Sequence, residues 1–193
     1  MQQSGHGSEP ALRFAISGDL LAGLPQLSQE ITTRPDDINQ PVMDFVQTLH
    51  GGKTPEEALT VCAYALAPRF SVWWGHECLI RVKDGLSADD IEFLQMTSDW
   101  VADPSEERRS AIVERAYPGD TPVSPGQWVA LGAGWTDGSM NPSNMPDLPP
   151  APHLTPTAVQ AGILCALATV DIASRDATLA SFVKMARQLA QAT

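Results

Sequence analysis

A chain of 193 residues with 12 basic and 23 acidic side chains carries a net charge of -11, which repels a phosphate backbone and argues against nucleic acid as a partner. Its 43% hydrophobic and 18% charged residues match an ordinary globular domain and exclude a disordered or fibrous chain. The richest apolar run, from Ala158 to Val170, contains Gln160 and is too short to cross a bilayer, so no membrane insertion is expected.

Residues 1–10 are polar and rich in Gly and Ser, and read as a flexible tail ahead of a single helical domain over 11–193. Leu12, Phe14 and Ile16 alternate with Ala11, Arg13 and Ala15, a period-two pattern that predicts an extended segment laid on a helical core. A helix is expected from Ser17 or Gly18 toward Gln29, ended or kinked by Pro25, and Thr32 to Gln40 reads as a loop. Val42, Phe45, Val46 and Leu49 share one face of a short helix that Gly51 and Gly52 stop.

Helix starts then recur. Thr54-Pro55, Asp103-Pro104, Ser124-Pro125 and Thr155-Pro156 each place an N-cap side chain before proline at the first helical position, and Ser87 to Asp90 adds a further start. After Thr54, Leu59, Cys62, Ala63 and Leu66 form the buried stripe of a helix that Pro68 separates from the next, so a helical hairpin is predicted. On that second helix Phe70, Trp74 and Cys78 recur at i+4, while Trp73, Glu77 and Arg81 line an adjacent edge where the two charges can pair. Neighbouring helical residues point about 100° apart, so one of Trp73 and Trp74 should face a groove while the other stays inside. A last helix near Ser174 to Ala192 stacks Leu179, Phe182, Val183, Ala186 and Leu189. The fold class is all-α: a multi-helix bundle of helical hairpins. Thr136 to Pro156 departs from it, with six prolines and no periodicity, and reads as an ordered strap across the helices into which Met140, Met145 and Leu148 can pack.

Motifs that carry chemistry are weak. Gly51-Gly52-Lys53-Thr54 has the ending of a phosphate-binding loop, but Gln47 stands where the first glycine belongs and a helix precedes it. Ser181 and Lys184 have the spacing of a serine-lysine pair, in mid-helix and without companion motifs. His76 and Cys78 lie about 200° apart on a helix and cannot chelate together, which leaves His50 and His153 as spare metal donors. Cys62, Cys78 and Cys165 are odd in number, widely spaced and in apolar surroundings, and predict buried free thiols in a reducing compartment. With no secretory signal at the N-terminus, the expected location is cytoplasmic. No catalytic residue, cofactor or metal is assigned.

Tyr64-Ala65-Leu66-Ala67-Pro68-Arg69 running into Val72-Trp73-Trp74, then Trp100-Val101 with Pro104 and Arg108, resembles the first half of an uncharacterised bacterial family of small helical proteins. The second half is matched by Gly132-Ala133-Gly134-Trp135, Gly138-Ser139-Met140 and the stretch from Leu148 to Thr155. After Pro68 the family pattern carries more charge than Arg69-Phe70-Ser71 does. Such proteins are often encoded near type VI secretion components, and the resemblance implies a cytoplasmic helper of the secretion apparatus or its cargo.

The expectation that follows is a non-enzymatic adaptor or chaperone for a secreted effector or spike component. Its candidate partner-binding residues are Trp73, Trp74, Glu77, Arg81, Met140, Met145 and His153. An immunity or regulatory binding protein is the second reading. An enzyme whose Glu77, His76 and Arg81 line a pocket beneath the strap is the third, with Glu77 as the buried ionisable group.

Overall fold

The computed structural model describes residues 10–119 and 121–192; all of the predicted tail except Pro10 lies outside them. Within them are ten α-helices and no sheet, so the all-α class holds. The helices are α1 (Ser17–Gly23), α2 (Leu27–Glu30), α3 (Val42–His50), α4 (Glu56–Ala65), α5 (Pro68–Arg81), α6 (Ala88–Ala102), α7 (Glu106–Ala116), α8 (Pro125–Gly134), α9 (Leu154–Ala168) and α10 (Ile172–Gln191). Pro25 divides α1 from α2, and Gly51 closes α3, as the breaker residues predict.

Two of the predicted caps form in full. Ser124 accepts from the Gln127 amide with Pro125 at the first position of α8, and Ser87 and Asp90 cap each other's backbone at the start of α6. The other proline-marked starts differ. Ser105 rather than Asp103 caps α7, and α9 begins one residue before Thr155, whose hydroxyl donates instead to the Trp135 carbonyl at 3.0 Å. Thr54 makes no side-chain cap, and Glu57, the residue that would complete the box, accepts from Thr32 instead. At the starts of α4 and α9 the side chains of the predicted local cap are engaged by tertiary contacts instead.

The extended segment is present, joined through its backbone. Arg13 donates its amide to the Ala65 carbonyl and Ala67 to Ala11, both at 2.8 Å, and Val42 donates to Ala15 at 2.8 Å. These bonds run to the ends of α4, α5 and α3, and Leu12, Phe14 and Ile16, the apolar set of the alternation, are half-buried.

A single cluster of buried apolar side chains draws on every helix. At its centre α8 packs on α9, with α5 and α6 against α8, α5 and α4 against α9, and α10 lying over α4, α5 and α3. The axes approach closely because Gly75 and Gly132 leave room for Val159; a Cβ at either would stand 2.8 or 2.9 Å from its methyls. Every residue of α4 from Glu57 to Ala65 is buried, so the predicted stripe of Leu59, Cys62, Ala63 and Leu66 is part of a helix enclosed on all sides. Cys62 and Cys78 are buried free thiols, and burial pushes both pKa values up. Cys165 corrects the expectation: it lies on the outward side of α9 and is exposed.

The strap is ordered, as predicted. Met140 donates its amide to the Leu148 carbonyl at 2.9 Å, the Asn141 side chain bonds the Pro146 carbonyl at 2.8 Å, and Ser143 donates its amide to Glu114 of α7 at 2.6 Å. Its apolar side chains do not do the holding: Met140 is half-buried, while Met145 and Leu148 are 41% and 48% exposed.

Candidate functional site

On α5 the two tryptophans separate as helical geometry requires. Trp74 is fully buried and its indole N–H donates to the Phe182 carbonyl at 2.9 Å, fastening α10 to α5. Trp73 is only partly buried and stacks on His76 one turn later, with ring centroids 4.9 Å apart and planes 11° from parallel. His76 Nδ1 lies 3.1 Å from Glu77 Oε1, so the imidazole is held between an aromatic face and a carboxylate. Burial lowers its pKa, and the Glu77 contact opposes that shift.

These side chains edge an apolar groove of about 300 Å³ between α5 and the C-terminal half of α10, lined by Trp73, Trp74, Glu77, Met185, Gln188 and Leu189. The predicted Glu77–Arg81 pair does not form. Glu77 engages His76, whereas Arg81 donates from Nε to the Met185 sulfur at 2.8 Å. Glu77 is half-buried, with a side chain 37% exposed, so it is not the buried ionisable group of the sequence reading. Nor do His76, Glu77 and Arg81 line one pocket beneath the strap. Arg81 lines a separate groove with Ser174, Thr178 and Ser181, and the hollow under the strap is formed by Glu106, Arg109, Ser110, Ser139 and Asn141 among others.

Among the seven candidate residues, Trp73, Trp74 and Glu77 thus line the α5–α10 groove, and Arg81 touches it through Met185. Met140, Met145 and His153 do not line it. The first two lie on the strap, and His153 sits half-buried at the start of α9, where its carbonyl accepts from the Thr157 amide and hydroxyl at 3.1 and 2.8 Å.

Among the described residues, Glu57, Asp90 and Arg109 are buried side chains that carry a full charge, with the His76 imidazole buried as well. Glu57 accepts from the Thr32 amide and hydroxyl, each at 2.7 Å, and from the Thr33 amide at 3.2 Å, tying the loop after α2 to α4. Burial raises its pKa, but these bonds outweigh it and hold the carboxyl at about 2. Asp90 joins two helix starts. One oxygen accepts from Ser87 of α6, the other from the Ser124 hydroxyl at 2.6 Å and the Gly126 amide at 2.7 Å at the start of α8. Here too the donors outweigh burial and lower the pKa. Arg109 holds the strap: Nη1 donates to the Gly134 and Ser139 carbonyls at 2.6 and 3.0 Å, while Nε and Nη2 grip Glu106. Gly138, at φ +62°, passes so close that a Cβ there would meet the guanidinium at 2.4 Å. Asp90 has a sequence signal that holds, the box with Ser87; Glu57 has the signal of a cap that does not form, and the Thr33, Gly134 and Ser139 partners of Glu57 and Arg109 are 24 to 30 residues distant.

The match that places the chain runs over residues 45–190, and all of these residues except the Thr32 and Thr33 partners of Glu57 fall inside it. The chain belongs to DUF6931, a family of unknown function. The DUF6931 span takes in α4 to α9, the strap and nearly all of α10, and leaves the extended segment, α1 and α2 outside. No curated protein and no solved structure matches the chain. Among the described residues no helix is long and apolar enough to cross a membrane.

Proposed function

We propose that the chain is a non-enzymatic cytoplasmic adaptor or chaperone that holds a type VI secretion effector or spike component at the groove between α5 and α10. The observation that carries this reading is Trp73. A large amphipathic ring stays outside the core, its face fixed by His76, at the mouth of an apolar groove whose other wall is Met185 and Leu189. A ring held in place before binding loses little conformational freedom on contact, which is what makes tryptophan effective at the centre of protein interfaces. Glu57, Asp90 and Arg109, the groups with the strongest local electrostatics, spend their hydrogen bonds on the chain itself and act as braces. The likeness to proteins encoded beside type VI secretion components supplies the partner class.

Affinity purification of the tagged chain from its native host tests the reading. Wild type should recover a secretion component or effector, and Trp73→Ala should lose it while remaining folded. Recovery of no such component, or recovery undiminished by Trp73→Ala, contradicts it.

A further inference from the structure

The other flank of α10 is different in character. A groove of about 380 Å³ between α3 and α10 is lined by Gln47, His50, Lys184, Arg187, Gln188 and Gln191, together with Ala180 and Val183. It contains two permanent cations, a histidine and three amides, and no carboxylate, in a chain whose acids outnumber its bases 23 to 12. Lys184 and Arg187 are three apart on one helix, an arrangement that costs stability when the charges are alike. Neither belongs to an ion pair among the described residues.

Arg187 is also left incomplete. Its Nη1 donates to Gln47 Oε1 at 2.6 Å, but among the described residues Nε is buried with no partner and Nη2 makes no bond. Nη2 is therefore the donor that the guanidinium has to spare, and it lies on the same groove as the ammonium of Lys184. We infer that this groove binds a small, doubly charged oxyanion, a phosphate group foremost. Arg187 donates from Nη2 and Lys184 serves as the point charge, with the glutamine amides around them. The inference does not depend on the partner-binding reading of the α5–α10 groove.

The test is an NMR titration of the ¹⁵N-labelled full chain with inorganic phosphate, with glycerol phosphate, and with chloride at matched ionic strength. Both phosphates should give saturable shifts at Gln47, His50, Lys184 and the Arg187 Nε–H, and tighter binding of one than the other distinguishes the free ion from a phosphate ester as the natural ligand. Arg187→Gln should abolish binding. Lys184→Gln, which removes a side chain that bonds nothing in the chain, should weaken it at least about tenfold with the rest of the spectrum unchanged. Equal shifts with chloride, shifts scattered outside the groove, or full binding by Lys184→Gln would overturn the inference.

Discussion

The two ends of the helical body use polar groups in opposite ways. Around α6, α7, α8 and the strap they are consumed: Asp90 joins two helix starts and Arg109 ties Gly134, Ser139 and Glu106 together. Along α10 they are left open, with Lys184 unpaired, Arg187 half-bonded and the Trp73 ring at the edge of a groove. The first pattern lowers the free energy of the fold, and the second holds capacity in reserve for something outside it. The buried charges around the strap are thus spent on the fold, whereas the two proposed sites lie where polar groups along α10 are left open.

Substitutions that break this contrast should fall in a definite order. Trp74→Ala should cost the most, about 4 kcal/mol by urea unfolding, since it opens a cavity in the core and leaves the Phe182 carbonyl without its donor. Arg109→Leu should follow at about 3 kcal/mol, with the strap over 138–149 becoming the first site of limited proteolysis; a strap that stays resistant would mean that something other than the guanidinium holds it. Glu57→Gln should cost about 2 kcal/mol at neutral pH. Because the folded carboxyl sits at about 2, below its unfolded value of 4.5, its stabilisation is complete above that unfolded value and is lost as pH falls toward 2. Melting curves of wild type and Glu57→Gln should accordingly converge across that acid range. Equal separation at every pH would show that the charge is not what stabilises the loop.

How much of this was legible beforehand follows from the range of the forces involved. The all-α class, the proline break between α1 and α2, the glycine stop of α3 and the Ser124 cap are local effects of backbone conformation, and they read directly from neighbouring residues. The divergence of Trp73 and Trp74 is likewise local, being a consequence of helical angle. The rest depends on neighbours far along the chain. Glu57 looks like the end of a capping box at Thr54 until the Thr32 and Thr33 donors are brought beside it. Glu77 and Arg81 have ideal spacing for a pair, yet His76 and Met185 are better placed to take them. Cys165 has the apolar neighbours of a core residue, and only the orientation of α9 turns it outward. The basic groove is built from α3 and α10, whose facing residues stand 140 positions apart in the Arg187–Gln47 contact, so no single stretch displays it.

The smallest expected change in stability carries the most weight for function. Trp73→Ala, compared with wild type by urea unfolding and by recovery of the proposed secretion component from the native host, measures both sides of the claim that adjacent rings have separate duties. The expected result is a stability within about 1 kcal/mol of wild type, because the ring lies outside the core, together with loss of the recovered component. A loss of stability as large as that of Trp74→Ala, with the component still recovered, would contradict it.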